Sequence, residues 1–122
     1  MRIKMKNINK LLLLNAAAFT FSANVFALVD NQKDIVSIPM IENAQVFAEF
    51  TDDVPAVLNY FTTSKEAQII NFYQQQYGKA LSQERKRDRL TLKFQQKNYD
   101  IRVVISQQNN KHQVDVIVVK KI

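Results

Sequence analysis

Hydrophobic residues recur along this chain with two different periods. Apolar and polar positions alternate in segments between residues 90 and 119, as they do in strands that bury one face, and residues 44–50 and 56–62 have the character of another strand pair. From residue 64 to residue 77 the apolar positions instead follow the spacing of an amphipathic helix. The pattern therefore predicts strands on both sides of one helix.

The predicted strands are short and rich in β-branched residues. Asparagines in the later connections can adopt the positive φ that a tight turn needs where glycine is absent. One connection, ahead of residue 90, runs through Lys86, Arg87 and Asp88. The predicted strands cover residues 44–50, 56–62, 80–85, 90–95, 99–106 and 114–119.

The predicted helix, from Ser64 to Tyr77, carries a signal at each end. Thr63 and Glu66 fit a capping box, in which the hydroxyl accepts from the Glu66 amide and the carboxylate accepts from the cap backbone. Gly78, the only glycine of the chain, follows the last apolar position, where a left-handed conformation costs least without a Cβ. The apolar face of this helix consists of Ile69, Ile70, Tyr73 and Tyr77, with Phe72 at its margin.

The element order is β-β-α-β-β-β-β, and consecutive strands with tight connections are normally antiparallel neighbours. We therefore expect an α+β fold: an antiparallel sheet of five or six strands with one main helix packed on one face.

The start of the chain has the three parts of a secretory leader. A basic region with four Lys or Arg residues precedes an apolar run at 11–21, and Val25-Phe26-Ala27 offers a cleavage site. We expect residues 1–27 to be a cleavable signal peptide and residues 28–122 to form a single domain, with 28–38 as a loosely held N-terminal arm. The alternative is an uncleaved anchor over residues 11–28, which is near the lower length limit for a spanning helix.

Charge and cysteine content exclude several classes of function. The chain has 17 basic and 11 acidic residues, but four of the basic ones lie in the predicted leader, so residues 28–122 carry 13 − 11 = +2. A charge this small argues against nucleic-acid binding. Because the chain has no cysteine, it has no disulfide, thiolate metal site or thiol chemistry. We expect no cofactor, and no stable membrane insertion after cleavage.

Few residues are candidates for catalysis. His112 is the only histidine and lies in a predicted turn, where we interpret it as an exposed turn residue. Asp52 and Asp53 are adjacent carboxylates in a predicted hairpin loop; they could hold a cation or act as an acid and base, but we interpret them as a solvated turn with local backbone bonds. We expect no enzymatic activity and no metal site.

Two features instead indicate a partner surface. The basic run Arg85, Lys86, Arg87 and Arg89, with Lys93 beyond it, could bind an anionic ligand or an acidic protein, or be a solvated hairpin tip. The last strand is apolar on both faces. Either it lies inside the sheet with both faces covered, or Ile117 and Val119 form an exposed patch with Val104 that binds a partner or a second copy.

A resemblance to a group of known proteins concerns the fold and the location of the chain. Tyr60, Thr62, Phe72, Tyr73 and Gly78 are similar to a pattern of small exported bacterial proteins, in which a strand ending in Tyr-x-Thr leads into a helix with Phe-Tyr, then a glycine and an antiparallel meander. Pro39 and Ala44 resemble the same layout, whereas the Gly-Trp often found after the helix is Gly78-Lys79 here. The resemblance implies the fold and an exported location, and no activity.

Together these features predict an exported, non-enzymatic binding or adaptor protein that acts by protein–protein contact in the periplasm or outside the cell. The first alternative is an inhibitor or immunity protein against a cell-wall hydrolase or toxin, which fits the small size and the charged hairpin. The second is an enzyme that uses Asp52 and Asp53.

Overall fold

The computed structural model describes residues 33–122, which form one compact unit. The predicted signal peptide at residues 1–27 lies outside the described residues, as do the first residues of the predicted arm.

Six strands and one helix account for most of the described chain, and the predicted α+β fold is confirmed. The helix follows the second strand and leads to the far edge of the sheet, from which the last four strands return as a meander. The sheet is antiparallel throughout, in the order β1-β2-β6-β5-β4-β3. The elements are β1 (Gln45–Phe50), β2 (Ala56–Thr62), α1 (Glu66–Tyr77), β3 (Ser82–Lys86), β4 (Arg89–Gln96), β5 (Tyr99–Gln108) and β6 (Lys111–Lys120).

One face of the sheet is buried beneath α1. Every second side chain of the four inner strands points to this closed face, which is what the alternation in the sequence predicts. Ile69 and Tyr73 of α1 pack against it and are fully buried. The strand residues of the closed face are Ala56, Leu58, Tyr60, Thr62, Leu90, Leu92, Phe94, Ile101, Val103, Ile105, Val114, Val116 and Val118.

A chain of hydrogen bonds ties α1 to the sheet and to the N-terminal arm. The Tyr73 hydroxyl donates to the Pro39 carbonyl at 2.9 Å, and the Tyr60 and Tyr73 hydroxyl oxygens are 2.8 Å apart. Because the single Tyr73 hydroxyl proton points to a carbonyl that can only accept, Tyr60 is the donor between the two tyrosines. This arrangement satisfies two buried hydroxyl groups and joins three parts of the chain.

The arm is held more firmly than the sequence predicts. Ile38 is buried in the core, and the Val36 amide donates to the Thr51 carbonyl at 3.1 Å. Asp34 forms an ion pair with Lys120 at 2.7 Å. The expectation of a loosely held arm is therefore wrong for residues 33–38, because apolar side chains of the arm complete the core.

The helix begins later than predicted and uses another cap. Its first residue is Glu66, and the Gln68 side chain accepts from the Lys65 amide at 2.8 Å. Thr63 does not cap the helix; its hydroxyl instead accepts from the Asn43 side chain at 3.2 Å. The predicted end is confirmed: Tyr77 is the last helical residue, and Gly78 follows with a φ of 92°.

The hairpin turns also differ in detail from those expected from the sequence. Arg87, Lys97 and Asn109 have positive φ, each as the first residue of its turn. Asn109 fits the expectation for asparagine, whereas Lys97 takes the conformation expected of Asn98. The strand predicted at residues 80–85 is displaced to Ser82–Lys86, because Lys86 pairs with Arg89 in the register that this turn sets.

We predict that Tyr73→Phe lowers the free energy of unfolding by about 1–3 kcal/mol, because it removes the donor to Pro39 and the acceptor of Tyr60 inside the core. Urea unfolding monitored by circular dichroism measures this. Tyr77→Phe is the matched control, because its ring stacks beside Tyr73 while its hydroxyl takes no part in the hydrogen-bond chain. Equal losses in the two variants would contradict the role given to the chain.

Stability should also fall at high pH. Burial raises the pKa of Tyr60 and Tyr73 and raises the pKa of Tyr77 to about 12. Below pH of about 10 both states keep these protons; above it the unfolded chain loses them first, so the free energy of unfolding decreases as pH rises. Tyr77→Phe should make the decrease between pH 10 and 12 shallower, by up to about 1.4 kcal/mol per pH unit. Urea titrations at several pH values test this, and an unchanged slope would speak against it.

Candidate functional site

The face of the sheet opposite α1 carries the alternate side chains of all six strands. We call it the open face, because the one helix of residues 33–122 packs on the other side. Strand register arranges its residues in three rows that cross the sheet from β1 to β3. The rows are Phe50, Val57, Ile117, Arg102, Lys93 and Ser82; Ala48, Asn59, Asp115, Val104, Thr91 and Glu84; and Gln45, Phe61, Gln113, Ser106, Arg89 and Lys86.

The part of the open face formed by β1, β2 and β6 carries most of its apolar side chains, around the polar pair Asn59 and Asp115. A β-bulge between Val46 and Ala48 brings Phe47 beside Phe61, with ring centroids 4.8 Å apart. Phe50 and Phe47 are 65% and 52% exposed, and Val119 is 37% exposed. We call this region the apolar half; its members are Phe47, Phe50, Val57, Phe61, Ile117 and Val119.

The part formed by β3, β4 and β5 is cationic. Lys93 lies directly opposite Arg102, and Lys86 lies directly opposite Arg89. Side chains at such positions have Cβ atoms about 5 Å apart, and like charges there destabilise the sheet. We call Lys86, Arg89, Lys93 and Arg102 the cationic half.

These cations form no ion pair with a carboxylate of residues 33–122. Within residues 33–122 the ion pairs are Arg85 with Glu66 and Lys120 with Asp34, neither of which involves the cationic half. Asp115 instead accepts from the side-chain amides of Asn59 at 2.6 Å and of Gln113 at 3.1 Å.

The other carboxylates nearby also form no ion pair with the cationic half. Asp100 accepts from the Gln95 amide at 3.0 Å. Glu84 is the diagonal neighbour of Arg89 and Lys93, and Asp88 lies in the adjoining turn; neither forms an ion pair. The cationic half therefore keeps an excess of positive charge.

Two shallow depressions on this face adjoin Arg89, and a third, of about 370 Å³, lies beside Val119, Lys93 and Asp100. One of the two, of about 670 Å³, lies over the middle of the sheet and is lined by side chains of both halves, among them Val57, Ile117, Arg102, Lys93 and Arg89. The carboxylates Glu84 and Asp115 line it as well. The other, of about 490 Å³, lies between the β3–β4 turn and the end of β5. Arg89 lines both, so the basic surface is continuous from one to the other.

The structure brings most of the predicted partner residues together. Val104 and Ile117 are half-buried on the open face and Val119 is exposed there, so the last strand has one covered and one uncovered face. Lys86 and Arg89 lie on the same face, and Arg87 occupies the turn between them.

Arg85 is the exception. Its position on β3 points to the closed side, where its guanidinium donates to the Glu66 carboxylate at 2.6 Å. This hydrogen bond raises the pKa of Arg85. The interpretation of Arg85 as one cluster with Lys86 and Arg89 is therefore wrong, because adjacent residues of a strand project to opposite faces.

Other residues of this face did not stand out in the sequence. Arg102 shares the period-two phase of Val104, but its position opposite Lys93 depends on the β4–β5 register. Phe47 lies beside Phe61 at a β-bulge, where the three consecutive apolar residues 46–48 interrupt the alternation without showing which side chain reaches the open face.

The catalytic candidates have structural roles. His112 lies in β6 rather than in a turn, and it is half-buried, so the expectation of an exposed turn residue is wrong. Its Nδ1 is 2.9 Å from the Ser64 carbonyl, to which it donates, because a carbonyl can only accept. Asp53 accepts from the Val54 amide at 2.8 Å, which is the local backbone bond expected of a turn aspartate. It also accepts from the Asp34 amide at 3.3 Å, a contact with the N-terminal arm.

Comparison with known protein families, with curated proteins and with solved structures finds no match to this chain. Residues 33–122 contain no cluster of three or more His, Asp or Glu side chains that could hold a metal ion. In the same part of the chain, no helix combines the length and the hydrophobicity required to cross a bilayer.

We predict that Arg102→Gln and Lys93→Gln each leave the free energy of unfolding unchanged or raise it by up to about 1 kcal/mol, because each removes one of two like charges that face each other. Thermal unfolding at low salt measures the change. Arg85→Gln is the matched control and should be neutral or slightly destabilising, because Arg85 has a carboxylate partner. A clear loss of stability in Arg102→Gln would show that the guanidinium serves the fold.

Proposed function

We propose that this chain is an exported binding or adaptor protein, which acts by protein–protein contact in the periplasm or outside the cell and performs no chemistry of its own. The observation that carries the proposal is the open face: an uncovered sheet surface whose apolar half adjoins four basic side chains that form no ion pair within residues 33–122. Exposed apolar surface and facing like charges both cost stability, and local rules of this kind are broken mainly at functional sites.

The size of the face suits a protein partner. Six strands about 4.8 Å apart and seven residues of about 3.3 Å each give a footprint of roughly 550 Å². A standard protein interface covers about 800 Å² on each partner, so the open face with its neighbouring turn supplies most of one side. Its composition also fits, because aromatic residues and arginine are enriched in such interfaces.

The leader supports the location. Residues 1–27 have the order of basic, apolar and small residues that is typical of an export signal. The core of buried aliphatic and aromatic residues needs neither disulfide nor metal.

Replacement of Ile117 or Val119 by lysine should disrupt the complex with the protein partner without unfolding this protein. Ile117→Lys and Val119→Lys place a charge in the apolar half, and we expect each to weaken partner binding about tenfold or more, since an unpaired charge in an interface is strongly unfavourable. The measurement compares pull-downs from the periplasmic fraction for wild type and variants, quantified by mass spectrometry.

Gln75→Lys, on the exposed side of α1, adds the same charge away from the open face and should retain the partner. Circular dichroism must show that each variant is folded. If Ile117→Lys and Val119→Lys fold and retain every protein that the wild type captures, the open face is not the binding surface.

A further inference from the structure

The spacing of the positive charges on the open face indicates the chemistry of the group that this face would bind. Arg89 and Lys93 belong to the same strand, four residues apart, so the two like-charge pairs are separated by about 13 Å along β4. Thr91, between them, is uncharged, and the carboxylate of Glu84 lies opposite Thr91 on β3. The cationic half therefore presents two distinct positive points rather than one diffuse patch.

Each positive point also has a particular neighbour. On β6, Ile117 lies directly opposite Arg102, with Val57 beyond it on β2. At the other pair, Ser106 and Gln113 lie between Arg89 and Phe61. A ligand that reaches the first pair must contact apolar side chains, whereas one that reaches the second pair crosses a polar strip.

We infer that the partner is a protein segment in extended conformation that carries two carboxylate side chains about 13 Å apart, with apolar side chains on the side that faces β6 and β2. This inference rests on the proposed function and names the chemistry of its partner. Carboxylates fit because a guanidinium binds them with two parallel hydrogen bonds. The spacing corresponds to acidic residues at positions i and i+4 of an extended chain.

A second copy of this chain is a poor occupant. Two sheets that pack face to face around a twofold axis along the strands would place each cationic half on the other copy's apolar half. An axis across the strands would place cationic half on cationic half. Both arrangements desolvate unpaired charges, so the asymmetry of the face favours a different partner.

A lipid is also a poor occupant. An acyl chain is bound in an enclosed apolar cavity, whereas the depressions of the open face are shallow and open to solvent. A protein segment can place individual side chains into the depressions.

Selection of a random peptide library tests the inference directly. Twelve-residue peptides displayed on phage are selected on wild-type protein purified from cells that express the full chain, on Lys93→Glu/Arg102→Glu, and on the control Lys79→Glu/Lys121→Glu. The control changes the net charge by the same amount at exposed positions outside the open face. If the charge reversal fails to fold, Lys93→Gln/Arg102→Gln replaces it.

We expect wild type and control to enrich peptides with Asp or Glu at positions four apart beside apolar residues. The reversed variant should lose these peptides and enrich Lys or Arg instead. Synthetic copies of the enriched acidic peptides should bind the reversed variant at least about tenfold more weakly by fluorescence anisotropy, and binding to wild type should weaken as salt increases.

Other outcomes would overturn the inference. Peptides that depend on Ile117 but have no excess of acidic residues would contradict the acidic partner and leave the proposed binding function intact. Binding to phosphatidylglycerol vesicles that the charge reversal abolishes, without peptide enrichment, would assign the face to lipid. A dimer that Ile117→Lys dissociates would assign it to a second copy.

One outcome would reject the surface itself. If neither Ile117→Lys nor the charge reversal alters the enriched peptides, the inference is wrong and the open face is not the binding surface.

Discussion

The architecture depends on one constraint: a single amphipathic helix can cover only one face of a sheet. Between β2 and β3 the chain passes through α1, and the last four strands then return across the sheet until β6 pairs with β2. The last strand, β6, is thereby placed in the interior of the sheet, with Val116 and Val118 buried on the closed face. Its other side chains, Ile117 and Val119, are left on the uncovered face.

The closed face concentrates the interactions that hold the domain together. Its side chains are aliphatic or aromatic apart from Thr62, and its buried hydroxyls are joined through Tyr60, Tyr73 and Pro39. The Thr62 hydroxyl donates to Asn43 at 2.7 Å and accepts from the Ser64 amide at 3.1 Å. Polar groups in this core are therefore satisfied, and they fix where the arm and the start of α1 lie.

The open face has a different character. Its carboxylates Asp115 and Asp100 are held by side-chain amides, while its cations face one another across strand pairs. A rearrangement of the same residues could have paired the charges and improved stability. The arrangement found keeps positive charge available beside exposed aromatic rings, which is what recognition of an acidic and apolar protein segment would need.

Local pattern was enough to predict the element order, the α+β class and the closed face, because strand and helix periodicities are properties of neighbouring residues. It also predicted the end of the helix at Gly78, since only the residue type mattered there. The start of the helix was misplaced because Thr63 bonds to Asn43, twenty residues away.

The candidate surface needed the tertiary structure. Val104, Ile117, Val119 and the basic run could be named from the sequence, but their meeting on one face could not, because it depends on which strands are neighbours. The same holds for Arg102 opposite Lys93 and for Arg85, which turns away to Glu66. Pairing register and face are decided by contacts between residues far apart in the chain, and a pattern read along the chain does not contain them.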